Sequence, residues 1–377
     1  MTVHKELPTL DDLMELAAPH PLAITVYLPS APTVTGRAET RTALHSAITA
    51  AIGRFRETGQ LTVAQESGLR AQQDELEADP EVWGALSSSL AVFLTPESHT
   101  EWVLPNRLVS QWQASDWFDL GQLVRAFATQ QYAYVLTLSV NRWALWEATP
   151  SRRAQKLAVS GAEAIGDAAA ATNRDSLRDS RPDRQLSGDE GRTRLLETYA
   201  SRVTELVDAT LLKADPSARV PLFVLAAEPL LSRVRPADER RTVVRVSGTP
   251  DETGADQVDR TVRDRLPDLN ARQISDQLAR IADDTARGLV VTELADIARA
   301  AVQGAVDALV YEFTVDVLGT FDETTGAITP DENGYDLISR VVVEVARRGG
   351  EIIPVRDAEV TSPVWNGVAV AHLRFAV

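Results

Sequence analysis

Ala133-Tyr-Val-Leu-Thr-Leu-Ser139 and Arg142-Trp-Ala-Leu-Trp-Glu147 are two apolar runs, rich in branched and aromatic residues, with only Val140-Asn141 between them. That spacing predicts a β-hairpin. Further along, Leu195, Tyr199, Val203, Leu206 and Thr210 recur at helical spacing and predict an amphipathic helix that starts near Arg192 and ends before Pro216. Val220-Pro-Leu-Phe-Val-Leu-Ala226 reads as a buried strand, Leu230 to Arg235 as a short helix, and Arg241-Thr-Val-Val-Arg-Val246 as another strand. Strands alternating with helices make this stretch a layered α/β domain.

Between the hairpin and the long helix lies a polar stretch, Pro150 to Gly191, which is expected to form no core. Loops of this length inside a compact chain are usually functional or disordered. Its far end reads Asn173-Arg-Asp-Ser-Leu-Arg-Asp-Ser-Arg-Pro-Asp-Arg-Gln-Leu-Ser-Gly-Asp-Glu-Gly-Arg-Thr-Arg194, with no Cys, His or Lys. Arg174, Arg178, Arg181, Arg184, Arg192 and Arg194 outnumber Asp175, Asp179, Asp183, Asp189 and Glu190 by one. The segment is slightly positive in an acidic protein, and a solvated mixed-charge loop is the plain alternative.

On the N-terminal side, a helix near Leu10 to Ala18 precedes the strand Leu22-Ala-Ile-Thr-Val-Tyr-Leu28. A helix carrying Leu44, Ile48, Ile52 and Phe55 on one face and a second from about Thr62 to Ala78 form a helical hairpin. Leu86 to Leu94 and Glu101 to Leu104 read as paired strands across a turn at 95–100, and a helix follows from about Leu120 to Thr129. On the C-terminal side, Glu252 to Arg265 and Asn270 to Arg287 read as a solvated linker helix pair. A helix Thr292–Val306, a strand Ala308–Phe313, a helix Tyr335–Arg348, and strands Glu351–Val355 and Val368–Phe375 then predict an αβα sandwich. The expected division is 1–129, an α/β domain with a helical hairpin; 130–268, a middle domain with the loop 150–191; and 269–377.

A chain of 377 residues, 44% hydrophobic, can bury a core in each of these parts. It has no apolar run of about 18 residues to span a bilayer and no apolar signal core after Met1, so a cytoplasmic protein without membrane contact is expected. With no Cys there is no disulfide frame, thiolate nucleophile or cysteine zinc site. The net charge of -16 disfavours nonspecific adhesion to nucleic acid, so any RNA contact must be local.

No Gly-x-Gly-x-x-Gly, Walker loop or Gly-x-Ser-x-Gly elbow occurs, and Gly349-Gly350 reads as a helix terminator. His4, His20, His45, His99 and His372 are scattered without metal-ligand spacing. No cofactor and no resident metal are expected, and no residue is assigned a catalytic role. Asp116 with Asp119, or Asp283 with Asp284, could in principle pair for acid–base or metal work, but caps and charged helix faces account for them better. Trp83, Trp102, Trp112, Trp117, Trp143 and Trp146 could stack on RNA bases or pack between elements.

Several strings, Ile24-Thr-Val-Tyr-Leu-Pro-Ser30, Arg37 to Phe55, Ser89-Leu-Ala-Val-Phe-Leu94 and Ala300-Ala-Val-Gln-Gly-Ala-Val-Asp-Ala-Leu-Val310, occur in an order that resembles the archaeo-eukaryotic peptide release factor superfamily, which includes Pelota and bacterial members. The resemblance runs over nearly the whole chain. It implies an RNase-H-like middle domain and a C-terminal domain of the kink-turn-RNA-binding ribosomal-protein type. Release factors read stop codons with an Asn-Ile-Lys-Ser tip on the N-terminal hairpin, where this chain has Thr42-Ala-Leu-His-Ser-Ala-Ile48. They release peptide with a Gly-Gly-Gln tip ahead of the middle-domain helix, where this chain has Asp183-Arg-Gln-Leu-Ser-Gly-Asp-Glu-Gly-Arg192. Gln185 lacks flanking glycines, and Asp189 and Glu190 would repel phosphate.

The resemblance therefore implies a release-factor-like protein, not an enzyme, that binds the ribosome or structured RNA at a tRNA-like site in rescue, stalling or dormancy. Arg178, Arg181, Arg184, Gln185, Arg192 and Arg194 would contact RNA, with Arg37 and Arg41 as further candidates on the N-terminal hairpin. The alternatives are a metal-dependent hydrolase or nuclease using carboxylates of the middle domain, and a non-enzymatic scaffold that self-associates or binds another protein.

Overall fold

The computed structural model describes residues 7–129, 131–150, 153–165 and 189–376. They divide into two compact units, one formed by Met1–Thr129 with Leu269–Val377 and the other by Gln130–Asp268.

In the first unit, Thr9 opens α1 (Leu10–Leu16) with a reciprocal cap, its hydroxyl accepting from the Asp12 amide and the Asp12 carboxylate from the Thr9 amide. Strand β1 (Ala23–Pro29) follows, then the helical hairpin α2 (Val34–Glu57) and α3 (Val63–Ala78), and the short α4 (Pro80–Ala85). Strands β2 (Ser89–Leu94), β3 (His99–Leu104) and β4 (Gln111–Ser115) complete an antiparallel sheet in the order β3-β2-β1-β4. Both faces of β1 and β2 are apolar, and each face has its own core. Ile24, Val26, Leu90 and Val92 pack under Leu44, Ile48, Ile52 and Phe55 of α2. Tyr27, Ala91 and Phe93 turn the other way, toward α1 and α5 (Gly121–Ala128).

The second unit carries β5 (Ala133–Leu138), β6 (Trp143–Ala148), β7 (Gln155–Lys156), the long helix α6 (Asp189–Ala214), β8 (Leu222–Ala226), α7 (Leu230–Arg233) and β9 (Val243–Ser247). The sheet order is β7-β6-β5-β8-β9. Strand β6 runs antiparallel to β5 and β7, while β8 and β9 run parallel to β5. The sheet is thus an antiparallel meander extended by two parallel strands. Helix α6 covers it with Leu196, Tyr199, Val203 and Val207; of the five positions expected to face inward, Tyr199 and Val203 are fully buried and Leu195, Leu206 and Thr210 partly so.

The stretch 150–191, expected to contribute no core, does contribute. Strand β7 pairs with β6, Ala154 and Ile165 are buried, and Leu157 and Val159 pack against the same cluster. The Trp143 indole donates to the Ile165 carbonyl at 2.5 Å. These apolar residues are spaced too widely to read as an element, yet each meets the sheet. Helix α6 begins at Asp189, ahead of Arg192.

The linker helix pair is one continuous helix, α8 (Ala255–Asp283), with Pro267 inside it. A proline removes one backbone hydrogen bond and normally breaks a helix. Val258, Val262 and Leu266 are buried ahead of the proline, and Leu278 and Ile281 after it.

The remaining elements return to the first unit: β10 (Val290–Val291), α9 (Leu294–Val302), β11 (Val306–Glu312), the small sheet β12 (Leu318–Phe321), β13 (Ile328–Pro330) and β14 (Tyr335–Asp336), then α10 (Leu337–Arg347), β15 (Glu351–Val355) and β16 (Ala369–Leu373). The main sheet has the order β10-β16-β11-β15, with β11 and β15 parallel. Val310, Val355 and Val370 on one face meet Leu278 and Ile281 of α8, while Leu309, Tyr311 and Ala371 on the other meet α9 and α10. This is the expected αβα layering. Gly349 ends α10 at φ +71°, the left-handed conformation foreseen for it.

Candidate functional site

Parallel strands β5, β8 and β9 end at one edge of the middle sheet, where α/β proteins commonly bind ligands. A cleft of about 360 Å³ opens there, lined among others by Ser139, Thr193, Leu196, Glu228 and Asp251. The Ser139 hydroxyl donates to Asp251 Oδ1 at 2.5 Å and the Asn141 amide reaches the same oxygen at 3.3 Å. These hydrogen bonds, Ser139 first, and the nearby Arg142 guanidinium hold the Asp251 carboxyl below its ordinary range. Thr193 and Leu196 bring the opening turns of α6 to the cleft.

The chemistry available in this cleft is limited. Ser139 donates to a carboxylate, and no histidine lines the cleft to act as its base. The two central strands, Ala133–Leu138 and Leu222–Ala226, carry no Asp or Glu. Among the described residues no group of three His, Cys, Asp or Glu side chains converges to hold a metal ion. Of the carboxylate pairs considered from sequence, Asp119 is buried while Asp116 is exposed, and Asp284 is engaged by His372 at 3.0 Å and Arg287 at 2.8 Å.

Arg178, Arg181, Arg184 and Gln185 lie outside the described residues, as does the side chain of Arg192, whose backbone belongs to α6. Arg194 is exposed on the first turns of α6, adjacent to Thr193 of the cleft. Arg37 and Arg41 sit one turn apart on α2. The Arg41 guanidinium stacks 4.6 Å from the Trp83 ring centre, and Arg37 is half-buried with its Nε unpartnered. Trp83, Trp102 and Trp146 are buried, which assigns them to packing, whereas Trp112 is 41% exposed. Sequence reading passed over Ser139 and Asp251; they meet across 112 residues, a distance at which no local pattern signals a pair.

Residues 130–272 match the model of bacterial archaeo-eukaryotic release factor family 11. No curated protein matches the chain in sequence. Among solved structures, the chain is similar to Archaeoglobus fulgidus Pelota at 13% identity over 98% of this chain and 94% of that one, with a TM-score of 0.35. It is similar to the archaeal Pelota described as ribosome-bound with ABCE1, at 13% identity over 99% and 96%, TM-score 0.38. An archaeal translation termination factor, aRF1, aligns at 13% identity over 97% and 96%, TM-score 0.22.

Proposed function

We propose that the protein is a release-factor-like translation factor without peptide-release chemistry, which docks on the ribosome or a tRNA-shaped RNA site in rescue, stalling or dormancy. The observation that carries this reading is the family match over residues 130–272, the same stretch that holds the arginine-bearing segment ahead of α6. Ester hydrolysis by a release factor needs a backbone able to approach the ester closely, which is what paired glycines provide. Gln185 stands instead between Arg184 and Leu186, and Gly188 and Gly191 are separated by two acids. Arg178, Arg181, Arg184, Arg192 and Arg194 are suited to phosphate contact, with Gln185 beside them as a hydrogen-bonding side chain.

The test is cosedimentation with 70S ribosomes across a salt series, with hydrolysis of peptidyl-tRNA followed in the same samples. Binding that weakens steeply with salt, without hydrolysis above background, is expected. Absence of binding even at low salt would sink the reading.

A further inference from the structure

In the first unit a cavity of about 200 Å³ lies between α1 and the β2–β3 hairpin. Its aromatic wall is continuous: Phe93 meets Trp102 edge-on at 5.6 Å and Phe118 at 5.3 Å, and His20 lies 4.9 Å from Phe118. Asp12 and Glu15 project from α1 onto the same cavity, Thr95, Ser98 and Thr100 supply hydroxyls, and among the described residues no Lys or Arg lines it. Asp12 Oδ2 accepts from the Thr9 amide and hydroxyl, a cap that leaves Oδ1 uninvolved. The His20 Nε2 is buried and has no hydrogen-bond partner, although a buried polar atom normally finds one.

We propose that this cavity receives a guanidinium group, the side chain of an arginine on a partner protein. Two carboxylates with no cation among the described lining residues set a negative potential, and ring faces add to it, so a cation is the complementary occupant. The volume is below that of pockets for drug-sized ligands and suits one side chain. A planar guanidinium matches the site better than an ammonium. It stacks on aromatic faces while its fork donates to a carboxylate, and it sheds water more easily. The inference is independent of any RNA contact by the middle unit.

The experiment titrates the full chain with N-acetyl-arginine methylamide, its lysine counterpart and its neutral citrulline isostere, reading the His20 ring signals by NMR and affinity by calorimetry. The arginine probe is expected to shift His20 and to bind about tenfold tighter than lysine, roughly 1.4 kcal/mol, with citrulline silent. Glu15→Lys, on an exposed helix position, should abolish binding while the melting temperature holds. Equal binding of citrulline or lysine, or arginine binding that neither moves His20 nor responds to Glu15→Lys, would overturn the proposal. So would free arginine binding as tightly as the capped probe, since that would make the ligand a small molecule.

Discussion

The Tyr311 hydroxyl donates to the Gly121 carbonyl at 2.7 Å, tying β11 to the start of α5 across 190 residues of chain. Two buried bonds beside it have the same character: Tyr27 donates to the Asp119 carbonyl at 2.7 Å, and the Leu120 amide donates to the Ser339 hydroxyl at 2.7 Å. They sit in one apolar cluster that mixes residues from both ends of the chain, which is why 1–129 and 269–377 form a single unit. Tyr311→Phe removes one buried hydrogen bond with little change in volume, so a loss of about 1 kcal/mol is expected. Urea unfolding measures it, and an unchanged midpoint would mean that this bond adds nothing to the joint.

Asp336 caps α10, with Oδ1 accepting from the Val317 and Ile338 amides at 3.0 and 3.3 Å and Oδ2 from Ser339 at 2.7 Å. Burial nevertheless pushes its carboxyl up to about 7, and Asp316 pushes the same way. Burial also raises Glu101 to about 7. The unfolded chain ionises both near the ordinary carboxylate range, so between there and about pH 7 the native state holds the extra protons. With respect to these groups, stability should therefore be greatest below about pH 4 and fall as pH rises to about 7, by up to about 1.4 kcal/mol per pH unit for each proton held. Thermal midpoints taken from pH 5 to 8 show the slope. Asp336→Asn should flatten it while lowering stability at pH 5, and an equally steep slope in the variant would assign the effect elsewhere.

In the middle unit the buried Arg241 bonds Asp215 Oδ2 at 2.9 Å, the Asp215 carbonyl at 3.0 Å and the Val220 carbonyl at 2.5 Å. Burial alone would raise the Asp215 carboxyl, but the Ser217 hydroxyl, the Val220 amide and Arg241 together bring it down to about 2. Arg241→Ala strands that carboxylate and should cost about 3 to 5 kcal/mol. Arg241→Lys should recover only part of this, because an ammonium cannot span the fork. Limited proteolysis of the variants should cut first within 131–268; wild-type resistance there would count against the pair as a support of that unit.

Legibility from sequence followed the range of the interactions. Helix α2 announced itself through Leu44, Ile48, Ile52 and Phe55, and β5 and β8 through unbroken apolar runs. Strand β4, Gln-Trp-Gln-Ala-Ser, escaped notice because it is a half-exposed edge strand whose pairing with β1 supplies what its composition does not. The expected helix from Tyr335 begins at Leu337 because Asp336 is its cap, a residue type that could have been read as such. Arg340 was hidden for a deeper reason. Its buried guanidinium rests 3.7 Å from the Trp117 ring and bonds the Ala17 carbonyl, partners that only the folded chain brings near. The Ser139–Asp251 pair is of the same kind, whereas the arginines before α6 were legible as composition alone.

Phosphate contacts release counterions, so the slope of log affinity against log salt counts them, at about 0.7 to 0.9 per contact. If the segment ahead of α6 together with the first turns of that helix is the docking arm, replacing Arg178, Arg181, Arg184, Arg192 and Arg194 by Gln should flatten the slope of ribosome binding by several such increments, and replacing them by Glu should abolish binding. Arg194→Gln alone should remove about one increment, since Arg194 is exposed on α6 beside the cleft. Arg37→Gln and Arg41→Gln should change the slope less. Arg41 is already stacked on Trp83 and Arg37 is half-buried, so neither is as free to follow a phosphate. A wild-type slope in the five-residue variant would make those arginines a solvated face and move the search for the docking surface to another part of the chain.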